Sequence, residues 1–300
     1  MPDLTGRRAL VTGVTGGLGE LTALELARKG AEVILAARST EKLNLVVEDI
    51  RGAVPTATVV PLLIDLADLT SVRRAAAEAS TYGPLDLLVN NAGVMATPRR
   101  RTADGLDLQL GTNHFGHFAL TGLLLPQLVA SGDARVVTVA SQAHRMARSV
   151  PLTDPRRDEG RYRKWPAYAQ SKLANVLFMF ELDRRVRRAG LPITSVGAHP
   201  GYASTNLTSG GLHMEGRTAE SSIIDVSRRL LAQPAAMGVL PLLMAATMRG
   251  LPAGTYVGPR GPGEWRGAPT IVGTTKHARD EAMAAGLWRM SEEATGVSYP

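Results

Sequence analysis

The sequence predicts one doubly wound α/β domain, in which seven parallel strands form a sheet with helices on both faces. Short runs rich in valine, isoleucine and leucine alternate with segments of helical periodicity along the chain, which is the order expected of strand–helix–strand units. A glycine-rich turn joins the first run to the first helical segment. No internal repeat or long linker divides the 300 residues, so we predict a single domain over 1–300.

The predicted elements follow one another in strict alternation through most of the chain. Strands are expected at 9–12, 33–36, 58–65, 85–90, 135–140, 193–198 and 255–257. Helices are expected at 18–29, 41–51, 71–80, 105–128, 167–188, 222–231 and 234–248. The segment 251–269 is rich in glycine and proline and predicts a surface loop, and 276–300 predicts a closing helix (276–291) and tail.

Composition excludes several classes of protein. A hydrophobic content of 44% with 20% charged residues supports a substantial core. The absence of cysteine excludes disulfides and thiolate ligands or nucleophiles. The first residues contain no apolar run, and the weakly polar stretch 231–248 is interrupted by Pro234 and Pro241. We therefore expect no membrane span and a cytoplasmic location.

The net charge of +7 arises from 34 basic and 27 acidic residues. The arginines cluster at 99–101, 156–164 and 184–188, but these clusters are scattered and are not interleaved with aromatic residues. This pattern is more typical of solvated faces than of a nucleic-acid site. Part of the excess charge is available to a phosphorylated cofactor.

The turn after the first strand is the first candidate binding site. It contains Gly13, Thr15, Gly16, Gly17, Leu18 and Gly19 and leads directly into a helical segment. Glycine permits positive φ and a close approach of the backbone, and the N-terminus of the helix offers unpaired N–H groups to a phosphate. A plain strand-to-helix turn needs fewer glycines, so we predict a nucleotide or dinucleotide site.

The residues at the ends of the second and third strands bear on the choice of nucleotide. Arg38 follows the second strand, where an NAD-binding protein usually carries Asp or Glu for the ribose 2′-hydroxyl. An arginine suits a 2′-phosphate, so NADP(H) is favoured over NAD(H), although an ordinary exposed arginine remains the alternative. Asp65, before Leu66, closes the third strand and can equally well cap the next helix.

Polar residues recur where the fourth and fifth strands end. Asn91, Ala92 and Gly93 follow the fourth strand at the carboxyl edge, where open α/β sheets bind ligands, and read alone they form a good turn. Ser141 ends the fifth strand, and it lacks the flanking glycines of a hydrolase nucleophile.

The fourth helical segment contains three unusual polar residues. Asn113 is a poor helix former and predicts a local kink with an ordered water. His114 and His117 have a spacing of three but no third ligand or metal motif, so we interpret them as packing or capping residues and predict no metal site.

Tyr168 and Lys172 are separated by four positions, so they share a face if their segment is helical. A nearby ammonium group favours the phenolate and predicts a lowered tyrosine pKa. A phenol with such a pKa can exchange a proton with a carbonyl or alcohol oxygen. The pair alone is frequent by chance at a helix boundary, and its significance comes from its order after the glycine turn, Asn113 and Ser141.

Together these motifs resemble the short-chain dehydrogenase/reductase family, whose Rossmann fold would cover nearly the whole chain. The pattern Thr-Gly-x-x-x-Gly-x-Gly, the Asn-Asn-Ala-Gly segment, TNHFGHFALT, YAQSKLANVLF and AHPGYASTNL are similar to its retinol dehydrogenase/protochlorophyllide reductase branch. The resemblance implies a catalytic set and a set of cofactor contacts. The catalytic residues would be Asn113, Ser141, Tyr168 and Lys172.

The resemblance also assigns a role to each of these residues. Tyr168 would be the acid or base, Ser141 would bind the substrate oxygen, Lys172 would hold the nicotinamide ribose, and Asn113 would keep a water. The cofactor contacts would extend to the adenine at Asp65 and Leu66. Pro200, Gly201 and Thr205 would touch the nicotinamide carboxamide and the diphosphate.

We therefore expect an NADP(H)-dependent carbonyl reductase or alcohol dehydrogenase. Residues 142–167 and the covering segment 202–232, with Leu207, Leu212, Met214, Ile223 and Ile224, would contact a lipophilic ketone, aldehyde or secondary alcohol, unless these residues simply pack the core. A non-catalytic NADP-binding regulator is the alternative, but the intact catalytic set argues against it. No nucleic-acid partner is expected, and a homo-oligomer is possible by family resemblance.

Overall fold

The computed structural model describes residues 1–202 and 234–300, and one eight-stranded sheet runs through them. The strands are β1 (Arg8–Thr12), β2 (Glu32–Ala37), β3 (Val59–Leu63), β4 (Leu87–Asn90), β5 (Ala134–Val139), β6 (Ile193–Ala198), β7 (Tyr256–Pro259) and β8 (Pro269–Ile271). Their order across the sheet is β3-β2-β1-β4-β5-β6-β7-β8. The first seven pair in parallel, which confirms the doubly wound α/β prediction.

The predicted count of seven strands is one too low. The strand β8 pairs antiparallel with β7, with Val257 opposite Ile271 and Pro259 opposite Pro269. It begins at the last residue of the segment predicted as a surface loop. Three residues that include a proline carry no recognisable alternation, and an edge position is where a strand tolerates proline. Pairing with β7 therefore defines this strand.

Helices cover both faces of the sheet in the described parts of the chain. They are α1 (Gly17–Arg28), α2 (Thr40–Ala53), α3 (Leu69–Ser80), α4 (Leu108–Leu110), α5 (Gly116–Leu123), α6 (Leu125–Ser131), α7 (Lys164–Arg188), α8 (Ala235–Gly238), α9 (Leu240–Thr247) and α10 (Glu281–Thr295). The predicted helix at 222–231 lies outside the described residues. Within those residues, no helix has the length and apolarity needed to cross a bilayer.

The helix predicted over 105–128 is divided into several pieces. A π-helical turn, Gly111–Phe115, separates α4 from α5, and α6 starts afresh with Pro126 in its first turn. This wide turn contains Asn113, the residue at which the sequence predicts a kink. The closing helix predicted at 276–291 begins and ends later than expected, because a short 3-10 turn, Lys276–Arg279, precedes α10. The side chain of Asp280 caps α10 by accepting a hydrogen bond from the Met283 amide at 2.9 Å.

Alternate residues of β1 belong to different layers of the core. Ala9 and Val11 pack in one cluster with residues of α1, α2 and α9. Leu10 packs in the other cluster, with residues of α3, α5, α7 and α10, including Trp288. Because both faces of β1 are covered, its central residues Ala9–Val11 are all apolar, and its carboxyl end at Thr12 is buried between the two layers. That end is where the glycine turn begins.

Candidate active site

The candidate site lies at the carboxyl edge of the sheet, around the ends of β1, β4, β5 and β6. The chain leaves β1 toward β2 and β3 on one side and returns to β4 on the other, so β1 and β4 flank the reversal of strand order. In open α/β sheets the crevice at this reversal is the usual ligand site. All of the catalytic residues predicted from the sequence, and most of the predicted cofactor contacts, are found along this edge.

The glycine turn has backbone angles that residues with a side chain rarely adopt. Gly13, Gly16 and Gly17 have φ values of 75°, 151° and 62°, in the region that favours glycine. Helix α1 begins at Gly17, and no side chain caps its first turn. The first N–H groups of a helix have no partner within the helix. The turn, which also contains Thr15 and Leu18, therefore places unpaired N–H donors beside glycines that have no side chain, and this arrangement suits a phosphate.

Thr12 locks the glycine turn to the segment after β4. Its hydroxyl accepts hydrogen bonds from the backbone amides of Asn91 and Ala92, at 2.9 and 3.0 Å. The amide side chain of Asn91 donates in return to the Thr12 carbonyl oxygen at 2.8 Å. A Cβ at Gly13 would lie only 2.8 Å from the Cα of Ala92. The two sequence motifs thus form a single packed unit.

We expect Gly19→Ala to destabilise the protein, because its Cβ would lie 2.5 Å from Asn91 Nδ2 and 2.8 Å from the Gly13 carbonyl carbon. Overpacking of this kind costs about 1–3 kcal/mol. The matched change Gly52→Ala, in α2, meets nothing within 4 Å. It should instead stabilise the protein by up to about 1 kcal/mol. Urea unfolding of the two variants measures both changes, and equal free energies of unfolding would contradict the packing argument.

Arg38, Asp65 and Leu66 follow the ends of β2 and β3. Arg38 is exposed, and within residues 1–202 and 234–300 its guanidinium has no hydrogen bond or ion pair. Asp65 accepts a hydrogen bond from the Ala67 amide at 2.9 Å, and its own amide donates to Ser71 Oγ at 3.0 Å. Leu66 is buried, and a Cβ at Gly116 would lie 2.9 Å from its Cβ. The loop after β3 is therefore held by α3 and α5, while Arg38 is available to a ligand.

Asn113 ties the segment after β4 to α7. Its Oδ1 accepts the Val94 amide at 2.7 Å, and its Nδ2 donates to the Val94 carbonyl at 2.9 Å and to Ser171 Oγ at 2.8 Å. A Cβ at Gly93 would lie 2.9 Å from Asn113 Oδ1 and 3.5 Å from Lys172 Nζ. Glycine at this position therefore lets the asparagine and the lysine converge.

Tyr168 is buried and forms a hydrogen bond with the Ser141 side chain. Burial raises the pKa of Tyr168 to about 12, and the Ser141 hydrogen bond offsets only part of this effect. The direction is opposite to the lowered pKa predicted from the neighbouring lysine, whose Nζ lies 5.9 Å from the ring centroid. At neutral pH the phenol therefore keeps its proton and is ready to donate it.

Lys172 lies one helical turn further along α7 and is also buried. Its Nζ donates to the Val139 carbonyl oxygen, at 3.3 Å, at the end of β5. Burial lowers the pKa of Lys172 to about 8. Asn175 donates to the same carbonyl at 3.0 Å. The two side chains fasten α7 to β5, directly below Ser141.

Pro200 and Gly201 follow β6 and turn sharply against the loop after β7. Gly201 has a φ of 67°, and a Cβ there would lie 2.7 Å from Cγ of Pro259. The Gly201 amide donates to His199 Nδ1 at 3.2 Å. Thr205 and the apolar residues predicted to cover the substrate lie outside the described residues, and so does most of the covering segment 202–232.

Comparison with known proteins identifies the family. The family model described as "short chain dehydrogenase" matches residues 7–153. Retinol dehydrogenase 13 of Homo sapiens is 37% identical over 302 residues, which are 99% of this chain and 87% of the human protein. The chain belongs to the short-chain dehydrogenase/reductase family. The polyprenol dehydrogenase of Mus musculus is 45% identical over 69% of this chain and 63% of its own length.

Solved structures agree with this assignment. A crystal structure of a protein from Mycobacterium paratuberculosis has a TM-score of 0.82 and 41% identity, and the match covers 100% of this chain and 97% of that one. A short chain dehydrogenase from Burkholderia cenocepacia in complex with NADP has a TM-score of 0.64 and 26% identity, over 85% of this chain and 96% of that one. The chain is thus a short-chain dehydrogenase/reductase of the retinol dehydrogenase-like branch.

The two histidines next to Asn113 are packing residues in this family member. His114 lies among Phe115, Phe118 and Phe178, with ring centroids 5.3–6.1 Å apart, and its Nε2 lies 2.8 Å from Ser291 Oγ. His117 Nε2 lies 2.9 Å from the Thr12 hydroxyl. Among the described residues, no three potential ligands lie close enough to hold a metal ion.

Sequence reasoning missed several polar residues that hold the site together. Ser171 and Asn175 lie on α7, and Gln109 lies on α4. Gln109 accepts the Ala96 amide at 2.8 Å and donates to Tyr162 Oη at 2.7 Å. All three are buried. A polar residue in an otherwise apolar helical segment was the available signal for each of them.

Proposed function

We propose that the chain is an NADP(H)-dependent carbonyl reductase or alcohol dehydrogenase of EC class 1.1.1.-. The observation that carries the proposal is the buried Tyr168 hydroxyl, hydrogen-bonded to Ser141, with Lys172 one turn further along the same helix. A non-catalytic NADP-binding regulator would not need a proton donor, a hydrogen-bonding partner and an ammonium group in this arrangement.

The site fits a dinucleotide. The uncapped start of α1, beside the turn that contains Gly13, Gly16 and Gly17, would hold the diphosphate. Arg38 would pair with a 2′-phosphate, Asp65 and Leu66 would contact the adenine, and the segment Asn91–Gly93 would line the cofactor. Tyr168 and Lys172 would hold the nicotinamide ribose, next to Pro200 and Gly201. The bound cofactor supplies the hydride.

The residues of this chain move the proton and orient the substrate. Ser141 would hydrogen-bond the carbonyl oxygen, and Tyr168 would donate its proton to that oxygen as the carbonyl carbon receives the hydride. Tyr168 would then recover a proton by way of Lys172. Because its pKa of about 12 leaves Tyr168 protonated at neutral pH, the residue can act as the acid in reduction. Oxidation needs the same residue as a base, so its rate should rise at alkaline pH.

We further propose a lipophilic substrate. The relatives retinol dehydrogenase 13 and polyprenol dehydrogenase are named for apolar alcohols. Steady-state assays should therefore find lipophilic ketones, aldehydes or alcohols turned over better than small charged hydroxy acids. Activity confined to the charged acids would contradict this substrate class. The cytoplasmic location and the homo-oligomer remain predictions from the sequence.

We expect Arg38→Asp to weaken NADPH binding by about ten- to a hundredfold, because one charge-assisted contact to the 2′-phosphate would be lost. NADH binding should be unchanged or improved. Two solved relatives, 27% and 26% identical to this chain, contain bound NADP, which supports this cofactor. Nicotinamide fluorescence titration measures both affinities, and Arg249→Asp, at a position that is also exposed, provides a matched control. An unchanged ratio of the two affinities in Arg38→Asp would refute the phosphate role.

A further inference from the structure

Glu264 occupies an unusual position beside the candidate site. It ends a 3-10 turn, Pro262–Glu264, in the loop after β7. Its φ of 56° lies in the left-handed region, which residues other than glycine rarely adopt. Such a conformation persists only where surrounding contacts hold it in place, and it often marks a functional constraint.

The Glu264 carboxylate joins three segments of the chain. Its Oε2 accepts hydrogen bonds from Gln142 Nε2 at 2.8 Å and from His199 Nε2 at 3.0 Å. Its Oε1 accepts a hydrogen bond from the Arg145 guanidinium at 2.8 Å. Burial is the largest influence and raises its pKa, but the His199 hydrogen bond and the Arg145 charge hold the pKa of Glu264 below its ordinary value. The group is therefore an ionised acceptor for three donors.

The first contact reaches the loop that carries Ser141. Gln142 follows Ser141 directly, and Arg145 lies on the same short 3-10 turn, Gln142–Met146. The two side chains also bond to each other, with Arg145 Nε 2.7 Å from Gln142 Oε1. Gln142 Nε2 makes a second bond to the Gly263 carbonyl at 3.0 Å. The loop after β5 is thereby tied to the Glu264 turn at two side chains.

The second contact reaches the segment Pro200–Gly201. His199 is fully buried, and its Nδ1 accepts the Gly201 amide at 3.2 Å. The imidazole proton must then be on Nε2, where it is donated to Glu264. The next residue, Trp265, accepts the Tyr202 amide at its carbonyl oxygen at 2.8 Å. Glu264 and Trp265 together hold both ends of the Pro200–Gly201 turn.

We infer that Glu264 is a positioning residue that keeps the Ser141 loop in register with the Pro200–Gly201 turn. This inference rests on the oxidoreductase function proposed above, in which Ser141 binds the substrate oxygen and Pro200–Gly201 lies at the nicotinamide. The distance between the oxygen-binding group and the hydride donor then depends on a carboxylate that contacts neither of them.

The variant Glu264→Gln tests this role. It replaces one carboxylate oxygen, which accepts hydrogen bonds, with an NH₂ group, and this group would face the donors of Gln142, His199 or Arg145. We expect amide hydrogen exchange to rise together in 141–146 and 199–202. We also expect kcat for a carbonyl substrate with NADPH to fall by about ten- to a hundredfold, as for other small misplacements of reacting groups. The Kd for NADPH should change by less than about threefold, since the contacts of the glycine turn with the diphosphate remain. The exposed Glu48→Gln, on α2, is the matched control and should change none of these.

Gln142→Ala is a milder second variant, since it leaves the other two donors paired with Glu264, and the same coupled exchange is expected with a smaller loss in kcat. Unchanged exchange, or a rise in only one of the two segments, would overturn the coupling. Raised exchange with unchanged kcat would overturn the positioning role. If the wild-type protein reduces no carbonyl with either nicotinamide cofactor, the proposed function fails, while the exchange measurement still decides whether Glu264 couples the two segments.

Discussion

Replacing Tyr168 with phenylalanine is expected to lower kcat by about 10²–10⁴-fold, the usual contribution of a positioned general acid. The variant removes the hydroxyl that bonds with Ser141 and would reach the substrate oxygen. The ring and Lys172 stay in place, so folding should be nearly unchanged and NADPH binding should fall far less than kcat. Single-turnover reduction with NADPH, together with nicotinamide fluorescence, separates the chemical step from binding.

Tyr82→Phe is the matched control, because it removes a hydroxyl that bonds Glu78 at 3.0 Å in an exposed setting. Its kcat should equal that of the wild type. Lys172→Ala should weaken both turnover and cofactor binding, since the ammonium group would hold the ribose and lies against Gly93. If Tyr168→Phe retained full turnover, the catalytic interpretation of α7 would be wrong.

The second large effect expected is a loss of stability in mild acid. Burial lowers the pKa of His114 to about 3, that of His117 to about 4 and that of His144 to about 4. In the unfolded chain these groups titrate near pH 6.5. Below that pH the unfolded state binds more protons than the folded state, so the free energy of unfolding falls as the pH falls. At pH 5 each histidine should lower it by about 2 kcal/mol relative to pH 7.5.

Urea unfolding at pH 7.5, 6.5, 5.5 and 5.0 measures this dependence. His114→Phe should reduce the slope of the unfolding free energy with pH, because a phenylalanine suits the ring cluster and leaves Ser291 Oγ donating to the Leu287 carbonyl at 2.7 Å. If the free energy of unfolding of the wild type did not change between pH 7.5 and 5, the expected destabilisation by the buried histidines would be contradicted.

Much of the architecture could be predicted because local patterns and global structure agree. The apolar runs at β1, β2, β5 and β6 and the helical periodicity of α2, α3 and α7 were visible in the sequence. The strand β8 could not be predicted, since three residues gain their conformation from pairing with β7. The π-helical turn was anticipated only as a kink, because its form depends on the contacts of Asn113 with Val94 and Ser171.

Residue type and spacing singled out Gly13 and the pair Tyr168 and Lys172 as candidates, because each has a backbone or chemical requirement that can be recognised locally. The catalytic roles of Asn113 and Ser141 came from the family resemblance, and all of these catalytic roles stay predictions. The pKa of Tyr168 was predicted in the wrong direction, because desolvation depends on the atoms that surround the ring, and spacing does not reveal them. The joint between Ser141 and Gly201 through Glu264 was also invisible. Glu264 lies 65 positions from His199 and 122 positions from Gln142 in the chain, and only the folded sheet brings the three residues together.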